Sequence, residues 1–405
     1  MKRNKWFMFF ILYISACAVS LNQFKVPPIM GVLAEQFGVG IPQIALLMTA
    51  FSVVGIILAL PSGVLVSKLG VKTLGVGVLC CLAAGSVLGA LSGSNFTLLL
   101  IGRVIEGFAN AFMLMLGILL INLWFEPKKV GMPTGLFTTF PAIAPLIMLN
   151  IGGSIAASAG WQSLWWGGAV MAAVCAVLFA VVIQVPAPDP DEAVGPVEKT
   201  SVWAAFGNGR AWLLAIIQGS IAFVLFAFLT IYPQIFEGFY GLSAARAASL
   251  SSLSGLFGLV TCIASGAIIQ KTGKPAIINL ISCIGLVATC ALTFALGSST
   301  ALYVAHIFVC SLCTGLVIPA VLAAAPTVAK SPVQIGATIA LVNFVYYIGV
   351  AIGAPVISSA AAGGAHWKGA LLPLVGVAVL SLVACVVYQL SSARQKAEVP
   401  AAEAV

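Results

Sequence analysis

Apolar residues run along this chain in long uninterrupted stretches separated by short polar turns. Twelve such stretches stand out, at about 6–34, 42–66, 72–93, 96–123, 132–157, 162–185, 211–236, 245–269, 275–297, 301–326, 334–360 and 368–390. Each approaches or exceeds the roughly 20 residues that cross the hydrocarbon core of a bilayer as a helix. Barrel strands would alternate apolar and polar positions with a period of two, and these stretches do not. The pattern predicts an all-α membrane protein with twelve transmembrane helices.

The one long polar interruption, 186–209, holds Pro186, Pro188, Pro190 and Pro196 together with Asp189, Asp191, Glu192 and Glu198. Such a composition reads as a solvated linker. The expected organisation is an N-terminal six-helix bundle over 1–185, the linker over 186–209, a C-terminal six-helix bundle over 210–390 and a tail over 391–405. The segment Val202–Phe206 reads as a short helix lying in the membrane interface. The halves also repeat. An offset of 203 residues pairs Gly38 with Gly241, Gly63 with Gly266, Lys68 with Lys271, Gly70 with Gly273 and Arg103 with His306, and a later offset of 206 pairs Trp161 with Trp367. Two pseudo-symmetric bundles are therefore predicted.

Composition narrows the class further. Of 405 residues, 61% are hydrophobic and 7% charged, whereas soluble domains carry about 25% charged residues to cover their surface. A soluble enzyme, a nucleic-acid binder and a secreted disulfide scaffold are excluded. The net charge of +8 is a matter of placement. Lys2, Arg3, Lys5, Lys68, Lys72, Lys128, Lys129, Lys199, Arg210, Lys271, Lys274, Lys330, Arg394 and Lys396 fall at one set of span ends, and only Arg246 and Lys368 at the other. Positive charge collects on the cytoplasmic side, so both termini are expected there, in the inner membrane of a bacterium. The start, with Ala16-Cys17-Ala18, has some features of a signal peptide, but the apolar pattern continues to Leu33 and a retained first span is expected. The ten cysteines lie within or at the ends of spans and read as small packing residues, Cys310-x-x-Cys313 included. With two histidines, His306 and His366, no metal cluster and no cofactor are expected.

Certain motifs are recognisable. The turn Gly63-Val64-Leu65-Val66-Ser67-Lys68-Leu69-Gly70-Val71-Lys72 resembles the cytoplasmic loop signature G-x-L-x-D-R-x-G-R-K of the major facilitator superfamily, with Ser67 where that family has Asp. The run Arg103-Val104-Ile105-Glu106-Gly107 is similar to its R-x-x-Q-G element, and Trp124–Gly131 and Gly160-Trp161-Gln162 also look familiar. The resemblance implies two bundles rocking about a midplane site to give alternating access. It also implies a gating role for Gly63, Ser67, Lys68, Gly70 and Lys72, with spans one, four, seven and ten around a central cavity. Asn22–Pro28 loosely resembles cyanate-permease-like and organic-anion branches.

Charge inside a span costs about 2.5–3.5 kcal/mol on insertion scales and is rarely idle. Three such residues occur: Lys25 in span one, and Arg103 and Glu106 in span four. Two readings stay open. Arg103 and Glu106 stand three apart and can pair on one helix, and Lys25 and Glu106 can form a fixed bridge between helices. Alternatively, two cations against one carboxylate leave a positive charge that a mobile anion completes. On the second reading Lys25 and Arg103 clamp a small anion, a carboxylate above all. Asn22, Asn110, His306, Asn343 and Tyr346 complete the lining, with Gln218, Tyr232 and Tyr347 as further candidates. Glu106 then couples transport to protons with His306 as an auxiliary group. The expected function is secondary transport of a small anion by a monomer whose partners are that anion and the bilayer. A proton-coupled multidrug exporter is the first alternative and a non-transporting sensor or receptor the second. An enzyme is not expected, because no nucleophile–base–orienter set can be assembled.

Overall fold

The computed structural model describes residues 4–59, 61–125, 133, 136–137, 139–185, 206–272, 274–328 and 332–402. Among these the long elements are helices: α1 (Lys5–Gln23), α2 (Met30–Phe37), α3 (Ile41–Leu58), α4 (Ser62–Leu69), α5 (Val71–Ala90), α6 (Phe96–Trp124), α7 (Phe140–Ala159), α8 (Gln162–Val182), α9 (Gly209–Gly238), α10 (Ala244–Thr272), α11 (Pro275–Leu292), α12 (Thr300–Ala324), α13 (Pro332–Ala360) and α14 (Leu371–Ala402). Eleven spans among the described residues are long and apolar enough to cross a membrane, with α1 and α2 counted as one. Helix α10 is 29 residues long; it is the eighth span in chain order and brings the number to twelve. Its serines, among them Ser249, Ser251, Ser252 and Ser254, make it less apolar than its neighbours.

Local sequence explains where the helices start and stop. Asn4 and Asn208 cap α1 and α9 by accepting from the N–H groups of Trp6 and Arg210, and Asn95 caps α6 through Leu98. Gly38 and Gly241 close α2 and the turn after α9 with φ of 63° and 68°, and Gly93 and Gly297 follow α5 and α11 with 58° and 62°. These are left-handed conformations that suit glycine. The caps and turns therefore repeat between the halves as the sequence does. Two predicted spans are interrupted by proline. The first is not continuous over 6–34 but breaks after Gln23, ahead of Pro27 and Pro28. The second ends at Leu58 and resumes at Ser62, after Pro61. The last helix runs past 390 to Ala402. Most of the linker, residues 186–205, lies outside the described residues.

Helices α1–α8 and α9–α14 form the two bundles. Backbone close approach through glycine sets the packing within each. On α13, a Cβ at Gly349 or Gly353 would run into the carbonyl oxygens of Gly219 and Phe223 on α9. On α5, a Cβ at Gly85 would stand 2.5 Å from the Gly102 carbonyl oxygen of α6. Across the halves, α3 packs on α13 and α7 on α10. The Thr49 hydroxyl of α3 donates to the Ala351 carbonyl of α13. That carbonyl lacks its helical partner because Pro355, four residues on, has no N–H. Gln234 Nε2 of α9 reaches the Pro27 carbonyl at 3.2 Å, Phe24 stacks on Phe226 with centroids 6.0 Å apart, and the Tyr347 hydroxyl donates to the Asn110 carbonyl at 3.3 Å.

Candidate functional site

The site grows out of the proline break in the first span. Pro27 has no N–H to offer the Gln23 carbonyl, and the helical ladder has stopped before Val26 could serve Asn22. Two carbonyls are thus left open in an apolar setting, where an unpaired polar group is costly. Arg103 of α6 fills both. Its Nη1 donates to the Asn22 carbonyl at 2.8 Å and its Nη2 to the Gln23 carbonyl at 3.3 Å, while Nε donates to the Leu47 carbonyl of α3 at 3.1 Å. The guanidinium lies over the Phe51 ring, 4.3 Å from its centroid. The planar fork of arginine makes this possible, since it presents five donors in fixed directions.

Glu106, one turn further along α6, joins the two cations. Its Oε2 accepts from Arg103 Nη1 at 2.5 Å and its Oε1 from Lys25 Nζ at 2.6 Å. Ser86 of α5 donates to Oε1 at 2.6 Å. Lys25, which sits in the break itself, also donates to Asn22 Oδ1 at 3.0 Å and to Ser86 Oγ at 3.2 Å, so its three protons are all placed. The Trp165 ring of α8 lies 4.5 Å from the ammonium. Asn22 is anchored through Nδ2 to the Ala18 carbonyl at 3.0 Å. Lys25 is 1% exposed, and Arg103 and Glu106 are 0% exposed. Both pairings left open by the sequence occur at once, and the triad keeps a formal charge of +1 that backbone carbonyls surround.

Glycines let the helices close over this cluster. Gly85 faces Glu106, where a Cβ would stand 2.8 Å from its Cγ, and a Cβ at Gly168 would strike Asn22 Oδ1. Ser86 and Trp165 were not among the expected site residues. The signal for Ser86 was a lone hydroxyl beside Gly85 in the row of glycines at four-residue spacing.

The other expected residues fall elsewhere. His306 finds its hydrogen-bond partners within the C-terminal bundle. His306 Nε2 lies 3.0 Å from the Thr289 carbonyl and Nδ1 lies 3.1 Å from the Tyr232 hydroxyl. Nε2 therefore carries the proton and Nδ1 accepts from Tyr232. The repeat thus pairs Arg103 with His306 in position but not in partners, because no acid stands where Glu106 would recur. Asn110, Asn343, Tyr346 and Tyr347 are half-buried, and Asn110 and Tyr347 meet where the halves meet. In the predicted gating loop Lys68 and Gly70 are exposed and Lys72 is half-buried. The surroundings of Gly63 and Ser67, and the loop residues Lys128 and Lys129, lie outside what the structure describes.

Known proteins match this architecture. The profile of the Major Facilitator Superfamily matches residues 12–354. The uncharacterized MFS-type transporter YhcA of Bacillus subtilis (strain 168) is 25% identical over 186 residues, which cover 45% of this chain and 35% of that protein. The probable L-galactonate transporter of Escherichia coli (strain K12) is 27% identical over 167 residues, 40% of this chain and 36% of that one. The chain thus spans about a third of the length of the curated relatives it matches. Among solved structures, a bacterial homologue of the human lysosomal transporter Spinster, inward-facing and unoccupied, gives a TM-score of 0.76 at 16% identity over 97% of this chain and 98% of that one. The human organic anion transporter MFSD10 (TETRAN) gives 0.71 at 16% identity, over 96% and 100%. At such identities the likeness is one of fold.

Proposed function

We propose that this chain, which belongs to the major facilitator superfamily, is a secondary transporter that carries a small carboxylate anion across the cytoplasmic membrane by alternating access. One observation carries the reading. Glu106 presents one carboxylate oxygen to Lys25 and the other to Arg103, at 2.6 and 2.5 Å. The two cations are therefore spaced to grip a carboxylate from both sides. In the resting protein Glu106 occupies that grip. A cargo carboxylate takes its place when the halves part, and the residual positive charge favours the exchange. Released from the cations, Glu106 takes a proton, so binding and protonation favour each other, as symport requires. If the carboxyl keeps its charge, the same displacement gives anion exchange. That a relative is named a probable L-galactonate transporter supports a carboxylate as the class of cargo.

The complete burial of the triad favours a second reading, in which the network is a fixed strut that holds the broken first span. Cargo would then bind between the halves near Asn110, Asn343 and Tyr346. Thermal-shift titration of the purified protein with small carboxylates, and with cationic dyes as the exporter's cargo, separates the two. The double variant Lys25→Met/Glu106→Gln removes one charge of each sign and should fold. If the clamp binds cargo, this variant loses the carboxylate-induced shift. A shift equal to wild type overturns the clamp and leaves the strut, and stabilisation by dyes instead of carboxylates indicates an exporter.

A further inference from the structure

Helices α10 and α11 both pack on α12 and hardly on each other. The wedge left between them is a cleft of about 320 Å³ whose walls include Ile268, Thr272, Lys274, Ile281, Ser282 and Leu316. Its size lies at the small end of ligand pockets, which run from about 300 to 1,000 Å³. Ile281 is 64% exposed, so the cleft opens outward, toward the hydrocarbon that surrounds a membrane helix, rather than toward the opposite bundle. Ser282 lies eight residues beyond Lys274, roughly 12 Å deeper along the helix. It is buried, and its hydroxyl has no hydrogen-bond partner among the described residues.

The mouth of the cleft is cationic. Lys271 and Lys274 flank the turn between the two helices and are exposed. Between Glu237 and Glu398 the sequence contains no acidic residue, so that stretch offers these lysines no counter-ion. Apolar walls below two exposed lysines, which make no ion pair among the described residues, match a lipid whose chain lies in hydrocarbon and whose head carries negative charge. Basic pockets between membrane helices bind anionic headgroups in this way, each lysine contributing attraction over about a Debye length.

We infer that the cleft between α10 and α11 is a site for one anionic phospholipid, with an acyl chain along Ile268, Ile281 and Leu316 and its phosphate on Lys271 and Lys274. The inference is independent of the cargo, because the cleft shares no residue with the Lys25–Arg103–Glu106 cluster.

Native mass spectrometry of the full chain tests it, with phosphatidylglycerol and phosphatidylcholine of identical acyl chains in competition. The wild-type protein should retain phosphatidylglycerol over phosphatidylcholine on the order of tenfold. Lys271→Gln/Lys274→Gln, at two exposed positions, should remove that preference while the protein melts as before. Leu316→Phe, or Ser282→Leu should that variant fail to fold, narrows the cleft and should lower retention of both lipids. Equal retention of the two lipids by the wild type overturns the site. So does an unchanged preference in the lysine variant, unchanged retention when the cleft is narrowed, or displacement of both lipids by a free fatty acid at equal concentration.

Discussion

Glu106 accepts from Lys25, Ser86 and Arg103, and each donor can be removed separately. Ser86→Ala takes away a 2.6 Å hydrogen bond and leaves Lys25 one acceptor short. The loss should be about 1–3 kcal/mol of stability, read as a lowered melting temperature in detergent. Arg103→Lys should cost more, although the charge is kept. A lysine cannot serve the Leu47, Asn22 and Gln23 carbonyls and Glu106 together, so buried acceptors are orphaned. Glu106→Gln discriminates between roles. If Glu106 couples transport to protons, the variant loses pH-driven uptake yet still exchanges substrate across proteoliposomes. If it is only a counter-ion, two uncompensated cations destabilise the protein by about 3–5 kcal/mol and added Lys25→Met restores it. Full proton-driven uptake by Glu106→Gln would leave an exchanger or uniporter.

At the scale of elements, proline and glycine decide where helices break and how closely they approach. Pro27→Ala returns an N–H to the Gln23 carbonyl, in competition with a contact from Arg103 that is long at 3.3 Å. The helix should then extend by part of a turn toward Pro28 and draw Lys25 away from Glu106. Uptake and melting temperature are both expected to fall, because buried Lys25 loses its counter-ion, and wild-type values of both would show that the break is dispensable. Two glycines of α5 give an internal control. Gly85→Ala puts a methyl group against the Gly102 carbonyl of α6, whereas at Gly77 nothing lies within 4 Å. Gly77→Ala should be neutral or stabilising by up to about 1 kcal/mol. Gly85→Ala should be destabilising by more than that, because backbone cannot move aside as a flexible side chain can.

For the whole molecule, the contacts between halves must part if a cargo is to pass. Thr49, Gln234 and Tyr347 each donate from one half to a backbone carbonyl of the other. Thr49→Val keeps the shape and deletes one of these bonds. It should shift the population toward states in which α3 and α13 have separated, detected as faster labelling of a cysteine placed at Ala351. Unchanged labelling would mean that this bond does not hold the halves. Sidedness is a separate expectation. The twenty-residue helix α5 has Lys72 in its first turn and ends before Asn95, so cysteines at Lys72 and Asn95 should react from opposite faces of the membrane. Labelling from one face would overturn the twelve-span topology.

The all-helical membrane architecture and the pairing of turns between halves were legible in the sequence. The reason is that burial in a bilayer demands about twenty apolar residues per span, while caps and left-handed turns demand asparagine and glycine at fixed places. That Lys25, Arg103 and Glu106 would need partners was legible for the same reason, since charge in an apolar run is costly wherever it points. Their arrangement was not. That Glu106 holds both cations, that Arg103 fills carbonyls opened by Pro27, and that Ser86 and Trp165 complete the cluster follow from the faces α5, α6 and α8 present at close approach. His306 shows the same limit from the other side: its position in the repeat matches Arg103, yet its neighbours Tyr232 and Thr289 make it part of a different cluster. Hydrophobic pattern and turn chemistry are local properties of a chain. Which polar groups satisfy one another in the interior is settled only when helices distant in sequence are packed together.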